Sequence, residues 1–265
     1  ESMLLKHVWP DTRLGLFCEF YYKAEGADVG FDPEFPNDIA AARNSVLFKN
    51  LNNTLHLQLA DGGLSPTTWQ ASTFPEDFRS KICVIHDGID TNDLVPDESV
   101  RLELPDGRVF TRGDKIITFV NRHIEPYRGC HIFFRSLPAV LAAEPDANVL
   151  VIGSEGVSYG QRPPGDKTWK QIFWDEEVAP KLSESQRSRV HFLGRTEYAD
   201  FKRILTLSAV HVYLTYPFVL SWSLLEAMST GCAVVASDTQ PLQEVITHDK
   251  NGRLFSFFSP DQLAC

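Results

Sequence analysis

The fold class follows from "KIITFVNRHIEPYRGCHIFFRSLPAVLAAEPDANVLVIG", residues 115–153. Its first apolar run, at 115–121, predicts a strand, and its last, at 148–153, predicts another. Between them, a glycine turn at Gly129 precedes a stretch of helical composition at 130–143. A strand, a helix and a strand in this order predict a β-α-β unit, in which both strands lie parallel in one sheet.

The same alternation continues towards the end of the chain. Further strands are predicted at 190–194, 209–215 and 232–237, and further helices at 168–182, 198–208 and around 222–230. The predicted fold class is therefore α/β, with a parallel sheet covered by helices on both faces. Right-handed crossovers place the carboxyl end of every strand on one edge, where ligands bind in such folds. We expect four loops at that edge: those at Gly129, Gly153, Gly194 and 216–223.

The first hundred residues are less regular. The apolar run at 13–18 predicts a buried strand that delivers Glu19 to the edge of a sheet, and the composition at 39–57 predicts a helix. Residues 96–114 are polar and rich in turn signals, which is typical of a linker. We therefore predict an N-terminal domain with its linker over 1–108 and a C-terminal domain over 109–265.

Composition narrows the classes of partner. The net charge of −10 argues against a nucleic-acid partner, because binding the phosphate backbone needs clustered Lys and Arg. The 5 cysteines are scattered without a C-x-x-C pair, which fits neither a zinc site nor a disulfide framework and suits a reducing compartment. No apolar run reaches the ~18 residues of a membrane span, and no signal peptide is recognised. These features predict a cytoplasmic protein without a bound metal.

Two arginines follow the strand predicted at 115–121. Arg122 comes directly after it, and Arg128 precedes the turn at Gly129 and the next helix. Guanidinium groups beside a helix N-terminus can hold an anion such as a diphosphate. The alternative is that both are solvated surface arginines that pair with Glu125.

The carboxylate of Glu226 stands near the start of another predicted helix. Ser223 and Glu226 match the capping-box pattern, in which two side chains satisfy the first backbone N–H groups of a helix. In the alternative, the carboxylate of Glu226 binds the two adjacent hydroxyls of a ribose. The free backbone N–H groups of the same first helical turn then bind phosphate oxygens. The pattern alone leaves both interpretations open.

Several runs carry a resemblance to a known family. They are "LLEAMSTGCAVVASD" at 224–238, "EVI" at 244–246, "NGRLF" at 251–255, "FVNRHIEPYRG" at 119–129 and "KICVIHDGID" at 81–90. Residues 81–258 resemble the nucleotide-binding domain of the family 4 glycosyltransferases, retaining enzymes with the two-domain GT-B fold, and 13–80 are similar more thinly. The resemblance implies two Rossmann-like domains that face each other across a cleft. It also implies that the first domain is incomplete and that the chain is shortened at both ends.

The resemblance implies a function as well. It is the transfer of a sugar from a UDP- or GDP-linked donor to a saccharide or lipid-linked acceptor, with no other cofactor and with peripheral membrane association through the acceptor. Arg122 and Arg128, with Arg128 in the position of the family's Lys, would bind the diphosphate and stabilise its charge as it leaves. Glu226 would bind the ribose, and Glu19 would stand where relatives often carry a sugar-contacting His. The remaining donor-site candidates are Gly153, Ser221, Trp222, Ser223 and Leu224.

One position departs from the family pattern. The family's paired-carboxylate motif has seven residues between its two glutamates, and counting back from Glu226 places Phe218 where the first should stand. Phe218 cannot hydrogen-bond a sugar hydroxyl, so Ser221, Trp222 or loop backbone would have to contact the donor sugar. We expect Phe218 to line the wall of the cleft. Two other functions stay open: a nucleotide-sugar epimerase, and a non-catalytic module that binds nucleotide sugars.

Overall fold

The computed structural model of the chain describes residues 4–36 and 38–265, and Ile39 by its backbone alone. The chain divides into two compact units. The first comprises Glu1–Gly88 with the short segments Tyr216–Leu220 and Gln243–Val245, and the second comprises Ile89–Thr215, Ser221–Leu242 and Ile246–Cys265. The main division therefore falls at residue 88, ahead of the boundary at 108 that the sequence predicts.

The first unit contains a small parallel sheet with the strand order β1-β2-β3. Its elements, in chain order, are α1 (Leu5–Val8), β1 (Gly15–Phe17), α2 (Ile39–Leu59), β2 (Gly62–Ser65), α3 (Thr68–Ser72), α4 (Glu76–Arg79) and β3 (Ile82–Val84). The predicted helix at 39–57 is present as α2. The prediction of a buried strand at 13–18 is wrong, because β1 lies at the edge of this sheet and Phe17 is 57% exposed.

A β-hairpin occupies the stretch for which the sequence predicts a linker. Its strands β4 (Arg101–Glu103) and β5 (Val109–Thr111) are antiparallel. Apolar side chains on the hairpin are buried against the core of the second unit: Val100, Leu102, Leu104 and Phe110. The linker interpretation is wrong because the apolar residues alternate with polar ones around an Asp-Gly turn, and this is the pattern of a hairpin.

The second unit is built on a parallel sheet of six strands with the order β11-β10-β9-β6-β7-β8. The strands are β6 (Ile116–His123), β7 (Asn148–Ser154), β8 (Val190–Gly194), β9 (Val210–Tyr213), β10 (Ala233–Ser237) and β11 (Arg253–Phe255). The helices are α5 (Cys130–Ala143), α6 (Glu184–Arg187), α7 (Tyr198–Leu207), α8 (Trp222–Ser229), α9 (Gln240–Gln243) and α10 (Pro260–Ala264). A 3₁₀-turn spans Pro126–Arg128, and a π-helix followed by a second 3₁₀-turn spans Gln171–Val178 and Ala179–Lys181.

Both faces of the central strands are buried, which is why the sequence shows continuous apolar runs there rather than alternation. Consecutive residues Val149, Leu150 and Val151 of β7 are all fully buried, and so is Ile116 of β6. The α/β prediction and the β-α-β order are confirmed, and α5 has the predicted bounds. Among the described residues, no helix combines the length and the apolar character that crossing a bilayer requires.

The sheet contains a fully buried histidine at its centre. His211, on β9, is fully buried, and its Nδ1 lies 2.9 Å from Oγ1 of Thr118 on the neighbouring strand β6. Because burial penalises the charged imidazolium, the pKa of His211 falls to about 4. As the pH falls, His211 is therefore protonated at a higher pH in the unfolded chain than in the folded one.

We predict that His211 makes the second unit sensitive to acid. A depressed pKa contributes stability that is fully present above the unfolded value of ~6.5 and is lost as the pH falls towards 4. Between pH 7 and pH 5 this residue should lower the free energy of unfolding by about 2 kcal/mol. Urea unfolding of the wild type and His211→Gln at both pH values measures this, whatever the absolute stability of the variant. Identical pH dependence in the two proteins would contradict the assignment.

Candidate functional site

A tight turn joins β6 to α5 and sets the position of Arg128. Gly129, which ends the 3₁₀-turn, has a positive φ of 68° and lies against the residue that follows β9. A Cβ added at Gly129 would lie 2.5 Å from Cβ of Leu214, closer than real Cβ atoms approach. The residue must be glycine for both reasons, and its contact brings the start of α5 to the carboxyl end of β9.

The guanidinium of Arg128 is held at that end of β9. Its Nη1 donates to Oγ1 of Thr215 at 2.7 Å and to the hydroxyl of Tyr213 at 3.3 Å. The group also lies over the ring of Tyr159, 5.7 Å from its centroid, which is a cation–π distance. These contacts place a half-buried positive charge at the predicted edge of the sheet.

Glu125 organises the loop that carries Tyr159. Its side chain is 1% exposed, and its carboxylate accepts from the backbone N–H groups of Ser158, Tyr159 and Gly160 at 3.0–3.3 Å. Within the described residues, this carboxylate pairs with neither Arg122 nor Arg128, so the alternative in which Glu125 neutralises them is wrong. Glu125 instead fixes the loop beside Arg128.

Arg122 differs from Arg128. It lies within β6 and is exposed, and its backbone carbonyl accepts from Oγ of Ser154 at 3.1 Å. In the described part of the chain, no hydrogen bond or ion pair engages its guanidinium. The structure therefore fixes the guanidinium of Arg128 and leaves the side chain of Arg122 exposed.

The N-cap of helix α8 lies two residues before Ser223, where the capping-box pattern would place it. This N-cap is Ser221, whose backbone N–H donates to the Tyr213 hydroxyl at 3.1 Å. The Ser221 hydroxyl pairs with that of Ser223 at 2.9 Å and makes no capping bond. The capping-box interpretation of Ser223 and Glu226 is therefore wrong, because Glu226 lies in the second turn of the helix.

The carboxylate of Glu226 has a different partner. Its Oε1 accepts from the Tyr198 hydroxyl at 2.9 Å, and the residue is 8% exposed. Burial raises the pKa of the Glu226 carboxyl above its ordinary value, and the smaller effect of the Tyr198 hydrogen bond lowers it. A buried carboxylate with one oxygen engaged can still accept hydrogen bonds at its second oxygen.

The other donor-site candidates have different surroundings. Gly153 is at the end of β7 with a φ of 151°, and an added Cβ would lie 3.0 Å from the carbonyl oxygen of Asn121. Trp222 is 57% exposed, whereas Leu224 is fully buried, so Leu224 could offer a ligand only its backbone. Ser221 and Ser223 are half-buried at the start of α8.

Phe218 belongs to an aromatic cluster of the first unit. It is 3% exposed, its ring lies 4.7 Å from that of Phe20 and 6.3 Å from that of Tyr22, and Trp69 stacks on Phe20 at 5.7 Å. The prediction that Phe218 lines an open wall is wrong, because these rings remove it from solvent. An apolar ring in place of a carboxylate is stabilised by this burial.

Glu19 lies in the first unit, two residues beyond β1. Its side chain is exposed, and its backbone carbonyl accepts from Nε2 of Gln70 at 2.8 Å. The side chain thus stays accessible, and the contact with Gln70 fixes the backbone that carries it. Its role as a sugar contact remains a prediction.

Comparison with known proteins places these features in a family. The family model described as "Glycosyl transferases group 1" matches residues 114–265, and that described as "Glycosyl transferase family 4 group" matches residues 1–94. The chain belongs to the group 1 glycosyltransferase family. Its second unit carries most of the longer match.

Two curated relatives are similar to part of this chain. Spore coat protein SA of Bacillus subtilis is 28% identical over 210 residues, which cover 73% of this chain and 50% of the relative. Phosphatidyl-myo-inositol mannosyltransferase of Mycolicibacterium smegmatis is 25% identical over 159 residues, which cover 58% of this chain and 36% of the relative. The chain spans half or less of the length of these relatives.

Solved structures agree on the fold. The crystal structure of Anabaena HepE in complex with UDP and glucose matches 99% of this chain and 62% of its own, with a TM-score of 0.63 and 16% identity. The C-terminal domain of the group 1 protein LpcC from Francisella tularensis matches 67% of this chain and 84% of its own, with a TM-score of 0.52 and 22% identity. These matches confirm a GT-B fold of Rossmann-like domains.

We predict that Gly129→Ala destabilises the protein more than the same change at Gly165. Both glycines have φ near +65°, so both variants carry similar backbone strain. Only at Gly129 does the new methyl group meet another residue, Leu214, and overpacking of this kind costs about 1–3 kcal/mol in addition. Denaturant unfolding of the two variants measures the difference. Equal losses would show that the close approach of the turn to Leu214 is absent.

Proposed function

We propose that this chain carries the donor-binding part of a retaining glycosyltransferase, which moves a sugar from a nucleotide-diphosphate sugar to a saccharide or lipid-linked acceptor. The observation that supports this most is the fixed position of Arg128 at the carboxyl end of β9. The start of α8 is tied to the same hydroxyl of Tyr213, and Glu226 lies in the second turn of that helix. A cation and a helix N-terminus can bind a diphosphate, and a carboxylate can accept hydrogen bonds from ribose hydroxyls.

The diphosphate would be bound by charge and by backbone N–H groups. Negative charge grows on the diphosphate as the bond to the sugar breaks, and a fixed positive group stabilises that charge without having to reorganise. Arg128 supplies a full charge, and the first turn of α8 supplies N–H groups and the positive end of the helix dipole. The exposed guanidinium of Arg122 is a second candidate for the same phosphates.

Glu226 would recognise the ribose. Tyr198 engages Oε1 and thereby orients the carboxylate, while Oε2 is suited to accept from the adjacent ribose hydroxyls. A ribose hydroxyl that donates to Glu226 would stabilise the ionised carboxylate. This would lower the pKa of Glu226 and so offset the effect of burial, which raises it.

The identity of the substrates rests on relatives. Anabaena HepE is described as bound to UDP-glucose, which makes a UDP-linked donor the first to test, with GDP-linked donors next. The mycobacterial relatives are named for a lipid, phosphatidyl-myo-inositol, which favours a lipid-linked acceptor and peripheral association with a membrane. Independence from metals and from further cofactors, and a cytoplasmic location, remain predictions of the sequence.

Phe218 is the observation that favours a second candidate function. Because it is buried among aromatic rings, it offers no polar contact to a donor sugar, and a non-catalytic module that binds nucleotide sugars would tolerate this. We favour transfer, with Ser221, Trp222 or nearby backbone contacting the sugar and with Glu19 as a further candidate.

The binding site is tested with two substitutions and two kinds of ligand. Arg128→Ala should weaken UDP or GDP by roughly tenfold to a hundredfold, the value of one charge-assisted hydrogen bond, and should leave uridine or guanosine nearly unaffected. Glu226→Ala should weaken both the nucleotide and the nucleoside, since both contain ribose. Isothermal calorimetry measures all of these affinities.

The control for charge is Arg187→Ala, which removes an exposed arginine from α6 in the same unit. It should leave both affinities unchanged. Equal losses of nucleotide and nucleoside with Arg128→Ala would contradict the phosphate role. Product analysis then separates the functions: transfer requires an acceptor, an epimerase changes the sugar nucleotide without one, and a binding module changes nothing.

A further inference from the structure

The Tyr213 hydroxyl joins the two elements that the proposed function assigns to the diphosphate. We infer that Tyr213 is a positioning residue: its hydroxyl holds the Arg128 guanidinium and the start of α8 together at the edge of the sheet where the diphosphate would bind. The inference rests on the proposed function and adds a residue that touches no ligand itself.

The geometry of Tyr213 supports this role. It is the last residue of β9, and its ring is 2% exposed within the second unit. The hydroxyl oxygen accepts from Nη1 of Arg128 at 3.3 Å and from the backbone N–H of Ser221 at 3.1 Å. A phenolic oxygen has two lone pairs, so these two donors use its whole capacity as an acceptor.

The sequence context shows that the hydroxyl is not needed for the strand. Tyr213 ends an apolar run, in which a phenylalanine would fill the same space among its neighbours. What a phenylalanine could not do is hold two N–H donors that come from different loops, one before α5 and one before α8. The hydroxyl therefore adds an alignment that packing alone does not give.

Thr215 makes the effect of removing this hydroxyl specific. Its Oγ1 accepts from the same Nη1 of Arg128 at 2.7 Å, so this contact would remain without the Tyr213 hydroxyl. The guanidinium would lose the hydrogen bond to Tyr213, and the backbone N–H of Ser221 would lose its acceptor. We therefore expect the variant to keep every group that binds the ligand but to hold Arg128 and the start of α8 less rigidly. This should weaken the binding of a ligand that contacts both of them.

Tyr213→Phe tests the inference by calorimetry with UDP and uridine, and with GDP and guanosine. The variant should bind the diphosphate about threefold to twentyfold more weakly, as expected for the loss of one or two hydrogen bonds. Its affinity for the nucleoside should change less than twofold. In an Arg128→Ala background, the same substitution should have at most a third of its effect in the wild type, because the two residues act together.

Tyr216→Phe is the matched control. Tyr216 is also a buried tyrosine, and its hydroxyl donates to Oδ2 of Asp32 at 3.0 Å. This variant loses a buried hydrogen bond of similar kind, so it should change the melting temperature without changing selectivity between nucleotide and nucleoside.

A second pair of variants tests the other partner of the hydroxyl should Tyr213→Phe not fold. Ser221→Pro removes the N–H that donates to Tyr213, at a residue whose φ of −84° is close to the range of proline, and Ser221→Ala keeps that N–H. Ser221→Pro should weaken the diphosphate several-fold more than Ser221→Ala does.

Three results would overturn the inference while leaving the proposed function in place: wild-type affinity in Tyr213→Phe, equal weakening of nucleotide and nucleoside, or full additivity with Arg128→Ala. A wild-type chain that binds neither UDP nor GDP would overturn the proposed function and the inference with it.

Discussion

The pairing of β6 with β9 on one side and with β7 on the other is the constraint on which the candidate site depends. Phe119 pairs with Val212 and with Val151, so the three strands run parallel in matched register. Their carboxyl ends therefore meet at one edge, and the segments that follow them must start there. The charge of Arg128 and the start of α8 come together because the backbones that carry them leave the sheet at the same edge.

Much of this arrangement could be predicted from the sequence. The second unit has strong local signals: continuous apolar strands, amphipathic helices and a glycine where the chain turns from β6 into α5. Arg128 could be predicted as a candidate for phosphate binding because it directly precedes that glycine. Its position at the edge of the sheet follows from the right-handed crossovers of β-α-β units. The family pattern added Glu226, and the structure places it in the second turn of α8, as one buried carboxylate with a tyrosine partner.

The burial of Phe218 and the role of Tyr213 could not be predicted, because both depend on residues distant in the chain. The burial of Phe218 is set by Phe20, and nothing in the local sequence of either residue indicates the other. Tyr213 was missed because one hydroxyl in an apolar strand gives no periodic signal, although a polar atom in a buried strand must find partners. The hairpin at 101–111 is different: its Asp-Gly turn and alternation were present, and the density of turn residues was mistaken for a linker.

A crystal structure of this chain grown with UDP, and a second one grown with GDP, would test the central claim most directly. In at least one of them, the account predicts diphosphate oxygens within about 3 Å of the Arg128 guanidinium and of N–H groups in the first turn of α8. It also predicts the ribose hydroxyls on Glu226, with the Tyr198 contact retained. A nucleotide bound away from the carboxyl ends of β6 and β9, with no phosphate on Arg128, would contradict it.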